Sequence, residues 1–387
     1  MHHLMSYAFR PFFLAGALFV TVALMAWVML LHSPSGVSAV AIYWHGHEML
    51  VGFAMAAIAG FSLTAIATWT GRPAVSGAML AVLFFVWLAG RVVMGIALPF
   101  PDWLVTAVDM LFPVLLAVYV GREIIGAGNQ RNLPIVIIVA LMAVLNLFFH
   151  LGRMGVSPGD DRIAMYLLLH LILLLTAVIA GRIVPNFTAN WLRQSAAQGA
   201  EPVLPVSYVP LEVPVLILTA ATGICAAYFP ASAVLIWLSL AAACAHGLRL
   251  FFWRGIGTRS NPVLFILHVA YLWFPLGYLA MALSQAGFWF PPSVALHALT
   301  MGVIGTMIFA VTTRVALGHT GRALKVSKVI VLAYWLMTLA VVVRLSGAFV
   351  NQYLTSVDVS AMLWMIAFGI FVWVYFPILT SARADGK

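Results

Sequence analysis

Long apolar stretches alternate with short polar breaks along nearly the whole chain, and the breaks mark where each element ends. Cutting at glycines, prolines and charge clusters leaves twelve apolar windows of roughly 20 residues, the length a helix needs to cross a bilayer. The predicted helices are 11–31, 44–69, 75–98, 103–121, 133–151, 163–183, 209–228, 231–253, 262–284, 292–317, 327–349 and 357–379. Inside lipid the backbone must satisfy its own hydrogen bonds, so runs of this length read as helices. The expected fold is therefore all-α integral membrane, one polytopic transmembrane bundle over residues 1–387. The first run, Pro11 to Leu31, has no small-residue cleavage site after it and reads as an uncleaved helix. The longest break, Pro185 to Tyr208, carries Asn186, Asn190, Gln194, Gln198 and three prolines, and is expected to be a solvated connector.

The pattern also repeats. Shifted by 250 residues, His47 to Arg72 falls without a gap on His297 to Arg322, with six of 26 columns identical. These are His47/His297, Gly52/Gly302, Ile58/Ile308 and the closing Thr70-Gly71-Arg72 over Thr320-Gly321-Arg322. Each copy opens with a histidine, crosses an apolar run and ends in the same tripeptide, which suggests an internal repeat relating 9–98 and 259–349. The Thr-Gly-Arg endings read as a helix C-cap glycine followed by a cation at the membrane surface.

Composition narrows the class further. With 64% hydrophobic and 7% charged residues, no soluble core accounts for so much apolar surface. A net charge of +9 would point to nucleic acid in a soluble protein, but here it is a question of sidedness. Fourteen of the Lys and Arg residues fall on the side of the N-terminus and only Arg91, Arg153, Arg162 and Arg344 on the other, which places both termini in the cytoplasm. Tryptophans near the predicted helix ends fit interfacial belts, so no nucleic-acid partner is implied. Cys225 and Cys244 lie in separate apolar runs and exclude a disulfide framework.

Eleven histidines are many for a chain with so few polar residues. With this topology His45, His47, His150, His170 and His297 collect in the outer half of the bilayer, while His246 and His268 lie towards the cytoplasmic ends of their helices and form a possible second site. Ionisable residues in a membrane are costly and commonly functional, and neutral imidazole suits iron, copper and zinc. Two ligands from facing helices meet the needs of a haem, which leaves two axial positions open, and His47 with His297 is the repeat-related pair. His45, His150 and His170 then remain for a second metal such as copper. His45 and His47 diverge by about 200° on a helix, so they are expected to serve different roles. Glu48 is placed to orient one of the rings, or to sit as a carboxylate at a helix N-terminus. Arg314, inside the tenth span, needs a carboxylate or a bound anion. Asp109, in mid-span of the fourth, is the acid most in need of a partner.

Several stretches resemble the NnrS family: Phe9-Arg10-Pro11-Phe12-Phe13, Trp44-His45-Gly46-His47-Glu48-Met49, and Ala59-Gly60-Phe61 with Thr68 to Pro73. Gly181-Arg182 with Pro185-Asn186-Phe187 and the run Thr313 to Arg322 add to them. The resemblance implies a bacterial twelve-helix inner-membrane protein that binds haem, of b type, and copper, and acts in the response to nitric oxide. Nitric oxide or another diatomic would be its ligand, with an electron donor left unidentified. A looser likeness is to the catalytic subunit of the haem–copper oxidases, which has three pseudo-symmetric arcs of four helices and metal ligands on the second, sixth and tenth. His47, His170 and His297 occupy those helices here. The chain lacks the adjacent histidine pair and the second tenth-helix histidine of a two-haem oxidase, and an analogy of fold does not itself license a nitric oxide reductase-like activity. A membrane transporter or metal-delivery protein, and an electron-relaying cytochrome or nitric oxide sensor without turnover, remain as alternatives.

Overall fold

The computed structural model describes residues 3–34, 38–95, 100–196, 201–288, 291–350 and 352–386. Among these residues there is no strand, and twelve helices are long and apolar enough to cross a membrane. In chain order they are α1 (Phe9–Leu31), α2 (Val40–Thr70), α3 (Gly77–Gly95), α4 (Asp102–Gly126), α5 (Gln130–Arg153) and α6 (Asp160–Ser195). They continue as α7 (Pro210–Tyr228), α8 (Ala233–Phe252), α9 (Pro262–Gln285), α10 (Pro292–His319), α11 (Lys328–Ser346) and α12 (Tyr353–Thr380). The chain is a multi-pass membrane protein. Residues 96–98 of the expected third span lie outside the described residues.

The helix ends follow from local chemistry. The Ser38 hydroxyl accepts a hydrogen bond from the Ala41 amide at 3.1 Å and opens α2. Prolines sit in the first turn of α7, α9 and α10, where a missing N–H costs nothing. Gly71 closes α2 with φ 69°, a left-handed conformation that a side chain would strain, and Gly321 after α10 has φ 72°. The sides of α3 show how the bundle meets lipid. Met79, Val82, Phe85, Leu88 and Val92 are exposed at helical spacing, while Leu80, Leu83, Trp87, Arg91 and Met94 face inward.

One expectation is corrected. α6 does not stop before a connector at Pro185 but runs on through it to Ser195. An internal proline is tolerated where neighbouring groups take up the freed carbonyls. Here Asn186 Nδ2, next to the proline, donates to the Arg182 carbonyl of the preceding turn at 2.6 Å. Residues 197–200 of that stretch lie outside the described residues.

The chain forms two compact units. The first takes in α1 to α5 and the start of α6 as far as Leu168, with Val315–Ala323 and the chain from Phe368; the second takes in Leu169–Arg314 and Leu324–Ala367. Within the first, α1 packs on α2, α3 on α4 and α4 on α5; within the second, α7 packs on α8, α8 on α9 and α9 on α10. Lipid tails are as apolar as leucine, so close approach at small residues matters more than burial for such contacts. A Cβ on Gly60 would lie 2.6 Å from the Phe13 ring of α1, and one on Gly302 would lie 2.5 Å from the Trp273 ring of α9.

The two copies of the sequence repeat share a local distortion. α2 passes from α to π geometry at Glu48–Ala54 and returns to α; α10 does the same at Ala298–Gly305. At the 250-residue shift the two π segments coincide, each beginning directly after the repeated histidine. The pairs α1/α9, α2/α10, α3/α11 and α4/α12 also begin and end within four residues of one another at that shift. π turns interrupt helices mostly where a side chain must be aimed.

Candidate functional site

The π segment of α2 begins at a set of buried polar side chains in the first unit. His47 and Glu48 come from α2, Arg91 from α3, Asp109 from α4, and Asn146 and His150 from one face of α5, four residues apart. All six are buried, and His47, Glu48, Asp109 and Asn146 are wholly so. Arg91 lies between the two carboxylates. It donates through Nη1 to Glu48 Oε1 at 2.6 Å and through Nη2 to Asp109 Oδ1.

Asp109 Oδ2 is the hub. It accepts from Asn146 Nδ2 at 2.8 Å and from His150 Nε2 at 2.9 Å, and His47 Nε2 stands 3.3 Å away. Because the Asn146 amide nitrogen points at Asp109, its oxygen faces His47 Nε2, at 2.9 Å. His47 Nδ1 meets Glu48 Oε1 at 2.9 Å, so both ring nitrogens face oxygen acceptors and both carry hydrogens. The tally closes: two carboxylates against the Arg91 guanidinium and the His47 imidazolium. A buried charge left unmatched would be costly, which explains why the groups occur as a set. The Phe149 ring stacks on His47 at 4.5 Å and shields it on one face.

This set also contains the one group among the described residues arranged to hold a metal ion. His47, Asp109 and His150 offer ligand atoms that all lie within 4.8 Å of one another. Two imidazoles and a carboxylate suit a transition metal and not calcium or magnesium. Glu48 on His47, Asn146 on Asp109, and Arg91 on both carboxylates would orient those ligands.

The remaining sequence-predicted residues are placed as follows. His45 turns away from His47 and stacks on Trp27 of α1, with ring centroids 4.5 Å apart, as the angular separation of the two histidines leads one to expect. Asp109 finds its cation in Arg91. His170 and His297 belong to the second unit, where His170 packs against Gly223 of α7 and near Tyr278 of α9. His297 directs Nδ1 at the Ser293 carbonyl, 2.5 Å away, and since a carbonyl only accepts, the hydrogen is on Nδ1. Arg314 lies over the Phe187 ring, 3.9 Å from its centroid.

His246 and His268 occupy separate hydrogen-bonded positions in the second unit. His268 Nε2 meets the Thr188 hydroxyl at 2.8 Å. His246 joins a longer array with Thr219, Tyr271, Arg249 and Glu212. Arg249 reaches Glu212 by crossing α6 at Gly181, where it also donates to the Ala177 carbonyl at 3.0 Å. A Cβ on Gly181 would overlap Arg249 Nη2, and backbone helps to hold the guanidinium, so Gly181→Ala is expected to break the ion pair and cost about 1–3 kcal/mol. Thermal unfolding in detergent measures this, and an unchanged melting temperature would refute it.

Sequence reasoning passed over Arg91, Asn146, Arg249 and Tyr271. The charge pattern reads Arg91 and Arg249 as surface cations that set topology, yet both are buried, Arg91 between two carboxylates and Arg249 against Glu212. Asn146 left a readable signal, since it is polar within an apolar span and one turn from His150 on the same face.

Twelve membrane-spanning helices, with a buried cluster of two carboxylates, an arginine and two histidines inside the first unit, define a polytopic membrane protein that carries charge within its spans. The chain matches the family described as NnrS protein over residues 3–383, nearly its full length, and belongs to the NnrS family. A comparison with curated proteins found no match.

Proposed function

We propose that this NnrS-family protein of the bacterial inner membrane binds haem and copper, takes nitric oxide as its ligand and protects the cell from nitrosative stress. The observation that carries the reading is the convergence of His47, Asp109 and His150 inside an apolar bundle. The resemblance of the chain to the family points to the same metals and the same ligand.

The residues suit the two groups differently. His297, with its hydrogen fixed on Nδ1 by Ser293, keeps Nε2 as a lone-pair nitrogen that would hold a haem iron. His47 meets oxygens at both nitrogens, so holding a haem iron would cost it Asn146 and Asp109. A small ion at His47 Nε2 would also displace the Asn146 oxygen, but His150 and Asp109 already stand beside that nitrogen to serve as further ligands. The geometry therefore favours His297 for haem and the His47–Asp109–His150 set for copper. When bound, these metals supply open coordination positions for a diatomic molecule. The protein's part is to exclude water with Phe149 and to hold charge balanced with Arg91 and Glu48. Nitric oxide is apolar and reaches such a site through lipid.

Metal analysis with an optical spectrum of the purified protein, before and after nitric oxide, tests the reading. A haem Soret band that shifts on adding the gas is the expected result, and a nitric oxide electrode then separates turnover from binding. A fully metal-loaded protein with no Soret band would overturn the haem assignment.

A further inference from the structure

The array around Tyr271 in the second unit has one arrangement that gives every one of its hydrogens an acceptor. Arg249 Nη1 donates to the Tyr271 hydroxyl oxygen at 3.0 Å, since a guanidinium has no acceptor. Tyr271 then turns its own O–H to His246 Nδ1, 2.8 Å away, which must carry the lone pair. That puts the imidazole hydrogen on Nε2, which points at the Thr219 hydroxyl oxygen at 3.0 Å, and Thr219 passes its hydrogen to the Val215 carbonyl at 2.8 Å. Glu212 holds Arg249 in place through two bonds.

Tyr271, His246 and Trp253 are wholly buried. The Trp253 ring centroid is 4.3 Å from that of Tyr271 and the Phe274 ring centroid is 4.9 Å from it, while Phe274 lies flat on His246 at 4.2 Å. A phenol gives up an electron readily only if its proton has somewhere to go at the same moment. Here the acceptor is already aligned, the resulting imidazolium keeps its bond to Thr219, and the Arg249 cation beside Tyr271 is itself paired with Glu212. Burial among aromatic rings keeps water and reductants from the radical.

We propose that Tyr271 is a redox-active tyrosine, oxidised by small one-electron radical oxidants that dissolve in lipid, of which nitrogen dioxide is the type. In the step, one electron leaves the phenol for nitrogen dioxide, which becomes nitrite. The Tyr271 O–H bond breaks and its proton forms an N–H bond at His246 Nδ1, leaving a neutral phenoxyl radical beside an imidazolium. The step requires neither haem nor copper, so it stands or falls separately from the metal reading above.

The test uses the full-length purified protein in liposomes without added metal, exposed to nitrogen dioxide generated by pulse radiolysis of nitrate and then freeze-quenched for electron paramagnetic resonance. A tyrosyl radical is expected, with an exchangeable deuteron coupling from the His246 side, and its yield should fall at least fivefold in Tyr271→Phe. Incorporating a fluorinated tyrosine at position 271 preserves the hydroxyl and its bonds, and should add fluorine hyperfine splitting to the signal even if the phenylalanine variant folds poorly. An unsplit signal in the fluorinated protein, or a radical confined to exposed tyrosines such as Tyr208 and Tyr228, would overturn the proposal.

Discussion

Arg91→Met is expected to destabilise the folded protein by about 3–5 kcal/mol, the cost of breaking a buried ion pair by removing one partner. The guanidinium bridges Glu48 and Asp109, and neither carboxylate has access to water. Glu48 Oε2 already lacks a hydrogen-bond partner, so losing Arg91 leaves Glu48 with the His47 bond alone. Methionine fills much of the space, which isolates the charge effect from a cavity. The melting temperature in detergent, followed by circular dichroism, reads the loss. A triple variant that adds Glu48→Gln and Asp109→Asn removes the stranded charges and is expected to recover most of it. A single variant that melts with the unsubstituted protein would show that the cluster is not ionised as described.

His150→Ala and His47→Ala are each expected to abolish stoichiometric copper binding, because each removes one of three ligands and no other group within the described cluster replaces it. Asn146→Ala should act more mildly, lowering affinity by about 10–100-fold, since it orients Asp109 without supplying a ligand. Binding to either ring releases the proton now shared with an oxygen, so affinity should rise with pH. Copper content after dialysis and titration calorimetry at two pH values give these quantities. Full copper retained in His150→Ala would place the ion elsewhere, whereas haem content unchanged in the same variant would agree with His297 serving the other group.

The sequence resolved the helices well because each depends on a local quantity. Twenty apolar residues between charges make a span whatever surrounds them, and all twelve spans emerged within a few residues except α6, whose last turns are polar and contain Pro185. The repeat was legible through matched endpoints, although nothing in the apolar letters announced the π segments that follow His47 and His297. For the site, His47, Glu48, Asp109 and His150 stand out as polar groups in apolar runs, and Glu48 is open between orienting one of the rings and serving a helix N-terminus; the ring it meets is that of His47. Their grouping was not expected. His150 had been placed with His45 and His170 on grounds of depth, whereas the structure sets it beside His47 and Asp109. Depth along the membrane normal follows from chain position, but which helices are neighbours does not.

By itself, the sequence determined that this is a twelve-span membrane protein of the NnrS family, since hydropathy and motif are read residue by residue along the chain. Only the tertiary structure decided that Arg91 is the counter-charge of Glu48 and Asp109 and that Arg249 serves Glu212 and Tyr271. A buried arginine and a loop arginine are the same letter. What separates them is whether a carboxylate from another helix reaches the guanidinium, and that is settled by packing at small residues such as Gly181.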